Sequence, residues 1–308
     1  MRICSLLPSA TDILFALELG DDIVAVTHEC EVPASAQPIP AITRSTVAAD
    51  GLDSHAIDRH VSAAAHAGSS LYVLDQARLE ACDPELIITQ ELCEVCAIGY
   101  RHVAATVRQL DGAADKKRTI LSVEPQTLPQ ILEAILRIGE AAGVRERAVR
   151  LVADMRARLD AIGAVAATAT SRPRVLAMEW LDPPYTAGHW VPEMIRLAGG
   201  HDELGRDGGF SYQIAWEDIA KYEPEILVLM PCSFDLERTV GEAASLGRVP
   251  AWPRLPAVRN GRVYALDGGR YFSRHSPSIV DGVAILAEIF HPELFPRRTP
   301  TTAWRRVE

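Results

Sequence analysis

Few residues in this chain of 308 have both the chemistry and the spacing to act together. Cys93 and Cys96 stand three apart in Thr89-Gln-Glu-Leu-Cys-Glu-Val-Cys-Ala97, directly after the apolar run Pro84-Glu-Leu-Ile-Ile-Thr89. His28 and Cys30, in Thr27-His-Glu-Cys30, follow another apolar run. Three thiolates and one imidazole would satisfy tetrahedral zinc, and a thiolate pair could also hold an iron–sulfur cluster. The second C-x-x-C or H-x-x-x-H that normally completes a zinc site is absent. A redox pair usually opens a helix with small residues between the thiols, whereas Glu94 and Val95 intervene here. Two buried or pocket-lining thiols are the third reading, and the spacing leaves all three open. Cys4, Cys82 and Cys232 sit within or beside apolar runs, where core packing is the ordinary role of cysteine.

A second group is aromatic and basic. Ligands collect at the carboxyl ends of parallel strands, so the residues just after each strand candidate carry the most weight. They include Pro8 and Ser9, Gln90, Glu179 and Trp180 with Tyr185, Pro231-Cys232-Ser233, and Arg270-Tyr271-Phe272 with Arg274. Aromatics are only 6% of the chain, yet Trp180, Tyr185, Trp190, Tyr271 and Phe272 all fall near such ends. Aromatic faces with a few polar anchors suit a flat organic ligand better than a phosphate. Catalytic templates are missing: no G-x-S-x-G elbow, no phosphate loop, no G-x-G-x-x-G after a strand and no H-E-x-x-H. A Cys–His nucleophile would need His28 to meet Cys30, Cys93 or Cys96 in space, which spacing alone does not bring about. Binding is therefore favoured over catalysis.

These residues are positioned by an α/β pattern. Strands are expected in 2–7, 22–27, 85–89 and 118–123, and a second set in 172–180, 224–232 and 261–268. Helices are expected at 10–20 and 100–112, and later at 189–200, 216–223 and 276–291. Between the two sets, 127–165 has no strand signal and is divided by Gly143. Its second half puts Val149, Val152, Met155, Leu159 and Ile162 on one stripe, with Arg145, Arg150, Arg156 and Arg158 on a solvated face. The expected organisation is an N-terminal α/β lobe over 1–125, a helical segment over 126–168, a C-terminal α/β lobe over 169–296 and a flexible tail over 297–308. The fold class is α/β, with two Rossmann-like lobes of mostly parallel sheet joined by one long helix.

Composition limits the partners. The net charge of −10 argues against nucleic acid or an anionic membrane surface, and no run of about 18 apolar residues could cross a bilayer. The apolar N-terminus is interrupted by Pro8, Asp12 and Glu18, so it reads as strand, turn and helix rather than as a secretory signal. A cytoplasmic location is the resulting expectation, or a periplasmic one if the sequence is a processed form.

The order of these segments resembles the periplasmic-binding-protein-like family that captures cobalamin and iron–siderophore complexes. The resemblance is carried by 2–33 with its Pro-Ser-Ala-Thr-Asp turn, by Leu79–Gln90, by 172–200 with Pro183-Pro-Tyr-Thr186, and by 214–229 and 258–286. It spans residues 2 to about 295, nearest to the cobalamin-binding branch. The resemblance implies a cleft between two lobes, lined by Pro8, Ser9, Gln90, Tyr185, Trp190, Tyr271, Phe272 and Arg274. It implies a corrinoid or related metal chelate as the ligand, with Arg274 bonding its carboxamide or acidic groups. It also implies docking to a membrane permease through a glutamate on each lobe; Glu217 matches one, but Ala77 stands at the other. The insert Ser45–Asp75 and the extra thiols are further departures. The expected function is a non-enzymatic binding protein for a corrinoid or similar chelate, acting inside the cell. The alternative is a zinc, iron–sulfur or thiol site at His28, Cys30, Cys93 and Cys96.

Overall fold

The computed structural model describes residues 1–46, 51–66, 71–90, 103–107 and 117–307. The Cys93 and Cys96 pair lies outside them, as does most of the helix expected over 100–112, of which 103–107 are helical. The chain divides into two compact units. Unit 1 comprises 1–51, 59–125 and 130–153; unit 2 comprises 52–58, 126–129 and 154–308.

In unit 1 the strands are β1 (Ile3–Ser5), β2 (Ile23–Ala25), β3 (Thr43–Ser45), β4 (Tyr72–Leu74), β5 (Leu86–Thr89) and β6 (Thr119–Ser122). β2-β1-β5-β6 form one parallel sheet, and β3 pairs antiparallel with β4. β1 and β5 are buried on both faces, which explains their unbroken apolar composition. Helix α1 (Pro8–Ala16) starts at Pro8, where a missing N–H costs nothing. The next helices are α2 (Ser54–His66) and α3 (Gln76–Cys82), the latter capped by the Asp75 side chain, which accepts from Arg78 N–H. Cys4, Leu6, Ile42, Leu79, Ile87 and Val103 share one core, with Cys82 packed against it. Burial pushes the Cys4 thiol far up, so it stays protonated and inert.

Helix α4 (Leu128–Ala141) and helix α5 (Arg145–Ala166) are separated at Gly143, whose φ of +73° is cheap only for glycine. The expected apolar stripe of α5 needs one correction. Ala148 is buried where Val149 was expected, and Val149 is 49% exposed. The stripe runs 148, 152, 155, 159 and ends at Ala166, following 3.6 residues per turn from the smaller side chain.

Unit 2 is built on β7 (Val175–Trp180), β8 (Tyr185–Thr186), β9 (Ile226–Leu229), β10 (Val263–Leu266) and β11 (Trp304–Arg306), ordered β11-β10-β9-β7-β8. The three central strands are parallel and the two edges antiparallel. Its helices are α6 (Val191–Leu197), α7 (Trp216–Tyr222), α8 (Leu236–Ala243) and α9 (Ile279–Phe290), with a short turn of helix at Gly268–Tyr271. The tail expected to be flexible instead supplies β11. Glu288, buried on α9, accepts from Arg298 N–H, Thr299 N–H, the Thr299 hydroxyl and Trp304 Nε1, which fixes the tail against β10.

Both sheets are opened by the same local device. The N–H of Arg2 donates to Glu85 Oε2 at 2.8 Å, and its guanidinium donates to the carbonyls of Cys82 and Asp83. The N–H of Arg174 donates to Glu225 Oε2 at 2.8 Å, and its guanidinium donates to the Glu223 carbonyl. In each case a helix ends on a left-handed acidic residue, Asp83 at φ +40° or Glu223 at +52°, and Pro-Glu leads into the strand. Ala77 and Glu217 are the second residues of the two helices, α3 and α7, and both are exposed. Their correspondence thus has a local structural basis.

Candidate ligand-binding site

In unit 2 the carboxyl ends of β7, β9 and β10 open on one edge of the sheet, as parallel pairing requires. The segments leaving that edge are tightly packed. A Cβ on Gly268 would come within 2.4 Å of Pro231 O, and one on Gly282 within 2.6 Å of Tyr271 O. Only a residue without a side chain lets β9's exit loop and α9 approach the 268–272 turn so closely. Gly188 plays the same part against 209–211, its Cβ position lying 2.3 Å from Ser211 N.

Two residues at this edge have positive φ without being glycine or ending a helix: His189 at +52° and Ser233 at +64°. Such strain persists only where the surroundings hold it, and it gathers at functional positions. His189 N–H donates to Gly209 O at 2.6 Å, and Gly208 N–H donates to His189 O at 2.9 Å, which locks the conformation. The half-buried His189 ring has two aromatic neighbours: Trp190 at 5.6 Å and Phe210, at right angles, at 5.2 Å. His275 stands behind, edge-on to Trp190 at 6.0 Å. Phe210 is 54% exposed, unusual for a phenylalanine, so the aromatic group reaches the surface.

Burial keeps three titratable groups at this edge neutral near pH 7. Burial lowers the pKa of His189. Burial, then the neighbouring His189, pushes His275 down to about 4. Glu179, at the end of β7, accepts from Gly188 N–H at 2.9 Å and is also held by Ser211. Although part of the residue is exposed, its carboxyl is turned into the protein; burial outweighs both hydrogen bonds and raises its pKa to about 8, with Cys232 adding to the rise. At pH 7 the two imidazoles are therefore neutral and the Glu179 carboxyl protonated, so these three groups place no charge behind the aromatic pair.

The sequence-derived residues divide. Trp180 and Tyr185 are half-buried at this edge, and Trp180 meets Phe234 edge-on at 5.3 Å. Burial raises the Tyr185 phenol, and Asp58 adds to it. Trp190, Tyr271 and Phe272 are 7%, 7% and 2% exposed. Trp190 Nε1 donates to Phe272 O at 2.9 Å, which ties two of these buried aromatic residues together. Arg274 is partly exposed beside His275. Cys232 is half-buried next to Glu179 rather than in the core, because β9 ends three residues before it. His189, His275 and Phe210 were not singled out from sequence. Their only signals were a His-Trp pair after Ala-Gly and a phenylalanine inside a glycine-rich turn.

In unit 1, Pro8 is partly exposed, Ser9 is buried and Gln90 is partly exposed at the end of β5. The Cys30 thiol lies 3.0 Å from Thr11 Oγ1 and 3.1 Å from Thr27 Oγ1. Thr11 Oγ1 also donates to Ser5 Oγ, so Cys30 belongs to a hydroxyl network between β1 and α1. His28 Nδ1 is 2.8 Å from Thr43 Oγ1, and its ring packs on Tyr72. Among the described residues no group of three His, Cys, Asp or Glu side chains could hold a metal ion. Likewise no described helix is long and apolar enough to cross a membrane.

Comparison with known proteins places the chain. A family model described as periplasmic binding protein matches residues 104–268. The chain is 24% identical over 301 residues to an uncharacterized ABC transporter substrate-binding lipoprotein of Bacillus subtilis, covering 96% of this chain and 81% of that one. It is 23% identical to the vitamin B12-binding protein of Vibrio cholerae, covering 92% of this chain and 86% of that one. Its fold matches the apo form of a periplasmic heme-binding protein from Roseiflexus sp. RS-1 with a TM-score of 0.69 and 22% identity, over 95% and 98% of the two chains. A match over more than half the chain, at the site-bearing strands, decides the assignment: the chain belongs to the periplasmic binding protein family and is a substrate-binding protein of the ABC-transporter type, not an enzyme.

Proposed function

We propose that the chain binds a flat metal chelate of the corrinoid or porphyrin class at the carboxyl edge of the unit 2 sheet. One observation carries this reading: His189, held at positive φ and kept neutral, meets both Trp190 and exposed Phe210. A neutral imidazole can donate to or ligate a metal chelate, and an exposed aromatic ring offers a face for a macrocycle. The kinds of ligand named for a B12-binding relative and a heme-binding fold neighbour agree with that chemistry.

Calorimetry with cobalamin, cobinamide and hemin tests the reading. The expected result is one site with a dissociation constant of about 1 µM or tighter for at least one of them, the range of a dedicated binder. No heat from any of the three at tens of micromolar would overturn it.

A further inference from the structure

The insert Ser45–Asp75 lengthens the chain between β3 and β4, yet part of it, Leu52–Asp58, belongs by its contacts to unit 2. That part is latched at the site. The N–H of Ser54 donates to Glu242 Oε1 on α8 at 2.9 Å, and the buried Ser54 hydroxyl donates to the same oxygen. Trp180 Nε1 donates to Ser54 O at 3.2 Å, and the Arg238 guanidinium donates to Leu52 O at 3.2 Å. Arg238 lies over the Phe234 ring at 3.8 Å, and Phe234 meets Trp180. The contacts thus close a ring: Leu52, Arg238, Phe234, Trp180, Ser54. His55 Nδ1 lies 3.6 Å from Asp182 in the turn between Trp180 and Tyr185, and Asp58 acts electrostatically on Tyr185. Asp53 caps α2 by accepting from Ala56 N–H at 2.8 Å, which fixes the helix start at this place.

We propose that Leu52–Asp58 is a fixed wall of the unit 2 site, closing it on the Trp180–Tyr185 side and limiting the size of chelate admitted there. Four hydrogen bonds, two of them to one carboxylate oxygen, hold it as part of the site rather than as a mobile cover. The proposal rests on reading that edge as the ligand site. The insert therefore acts as a specificity element.

Glu242→Ala and the milder Ser54→Ala remove the latch from opposite sides. In the ligand-free protein, amide hydrogen exchange over 52–58 is expected to accelerate about tenfold or more in both, with unchanged far-UV circular dichroism. Cobalamin carries a bulky lower nucleotide that cobinamide lacks. The ratio of their dissociation constants, cobalamin over cobinamide, is expected to fall at least about fivefold in the variants, because the larger ligand gains most from an opened wall. Unchanged exchange overturns the latch. Accelerated exchange with an unchanged ratio, in protein that binds both ligands, overturns the size-selecting role. A wild type that binds neither corrinoid overturns the size-selecting role; if it does not bind hemin either, the reading of the site falls too, while exchange still decides whether the segment is latched.

Discussion

Two side chains give the sharpest tests of how the site works. Phe210 is 54% exposed and its ring meets that of His189 at right angles, so removing it should leave folding nearly unchanged. Phe210→Ala is expected to weaken chelate binding about 5–10-fold at constant melting temperature, the scale of one aromatic contact. A melting temperature that falls while affinity holds would show a structural role instead. Glu179 makes a prediction about pH. Its folded pKa of about 8 is raised above the ordinary carboxyl value of 4.5, so the folded state binds more protons between those limits. Stability contributed by the protonated acid is therefore complete at low pH and is lost as pH rises toward 8. Relative to Glu179→Gln, which stays neutral, the wild type should lose up to about 1.4 kcal/mol per pH unit between pH 6 and 8. Parallel stability curves for the two proteins would contradict the buried acid. Sequence reading reached Glu179, Trp180 and Tyr185 because they end a strand that its apolar run makes plain. It missed His189 and Phe210 because a positive φ and a cross-loop contact with 208–211 leave no periodic trace. An aromatic after a strand looks the same in sequence whether it faces a ligand or the core, and Trp190 and Phe272 are both buried.

The secondary-structure elements were legible where burial imposes composition. β1, β5 and β9 are buried along their length and β7 over its first four residues, and each is largely apolar in the sequence. β3, β4 and β8, of two or three residues each, lie in antiparallel pairings that demand no such run. β11 was hidden for another reason: it is polar at two of its three positions, and its order comes from Glu288 on a distant helix. That clamp can be measured. Glu288→Ala removes four accepted hydrogen bonds from buried or half-buried donors and should destabilise the protein by about 2–4 kcal/mol. Trp304 emission should shift to the red as the tail leaves β10, and a variant with native emission and stability would refute the clamp. Asp267, which caps the 268–271 turn, also donates its N–H to Ala303 O, so the tail supports the site from behind.

For the whole molecule, the order and spacing of the motifs carried more information than any motif alone. The repeated helix–Pro-Glu–strand device, built on Arg2 with Glu85 and on Arg174 with Glu225, shows why. Each unit uses the same local solution, but only two prolines, two glutamates and two arginines of it survive as identities. The family's fold is thus recoverable from pattern while its ligand is not, since a shared fold hosts many ligands and, on the reading proposed here, a few loop residues and the latched insert select among them. The property we propose for the chain is the binding of a metal chelate at an aromatic edge of the unit 2 sheet. The most direct measurement is a visible-absorption titration of aquocobinamide and of hemin with purified protein. Saturation at one equivalent, with a shift in the chelate's bands that is lost in His189→Ala, is the predicted result. Spectra identical to those of the free chelates at all protein concentrations would contradict it.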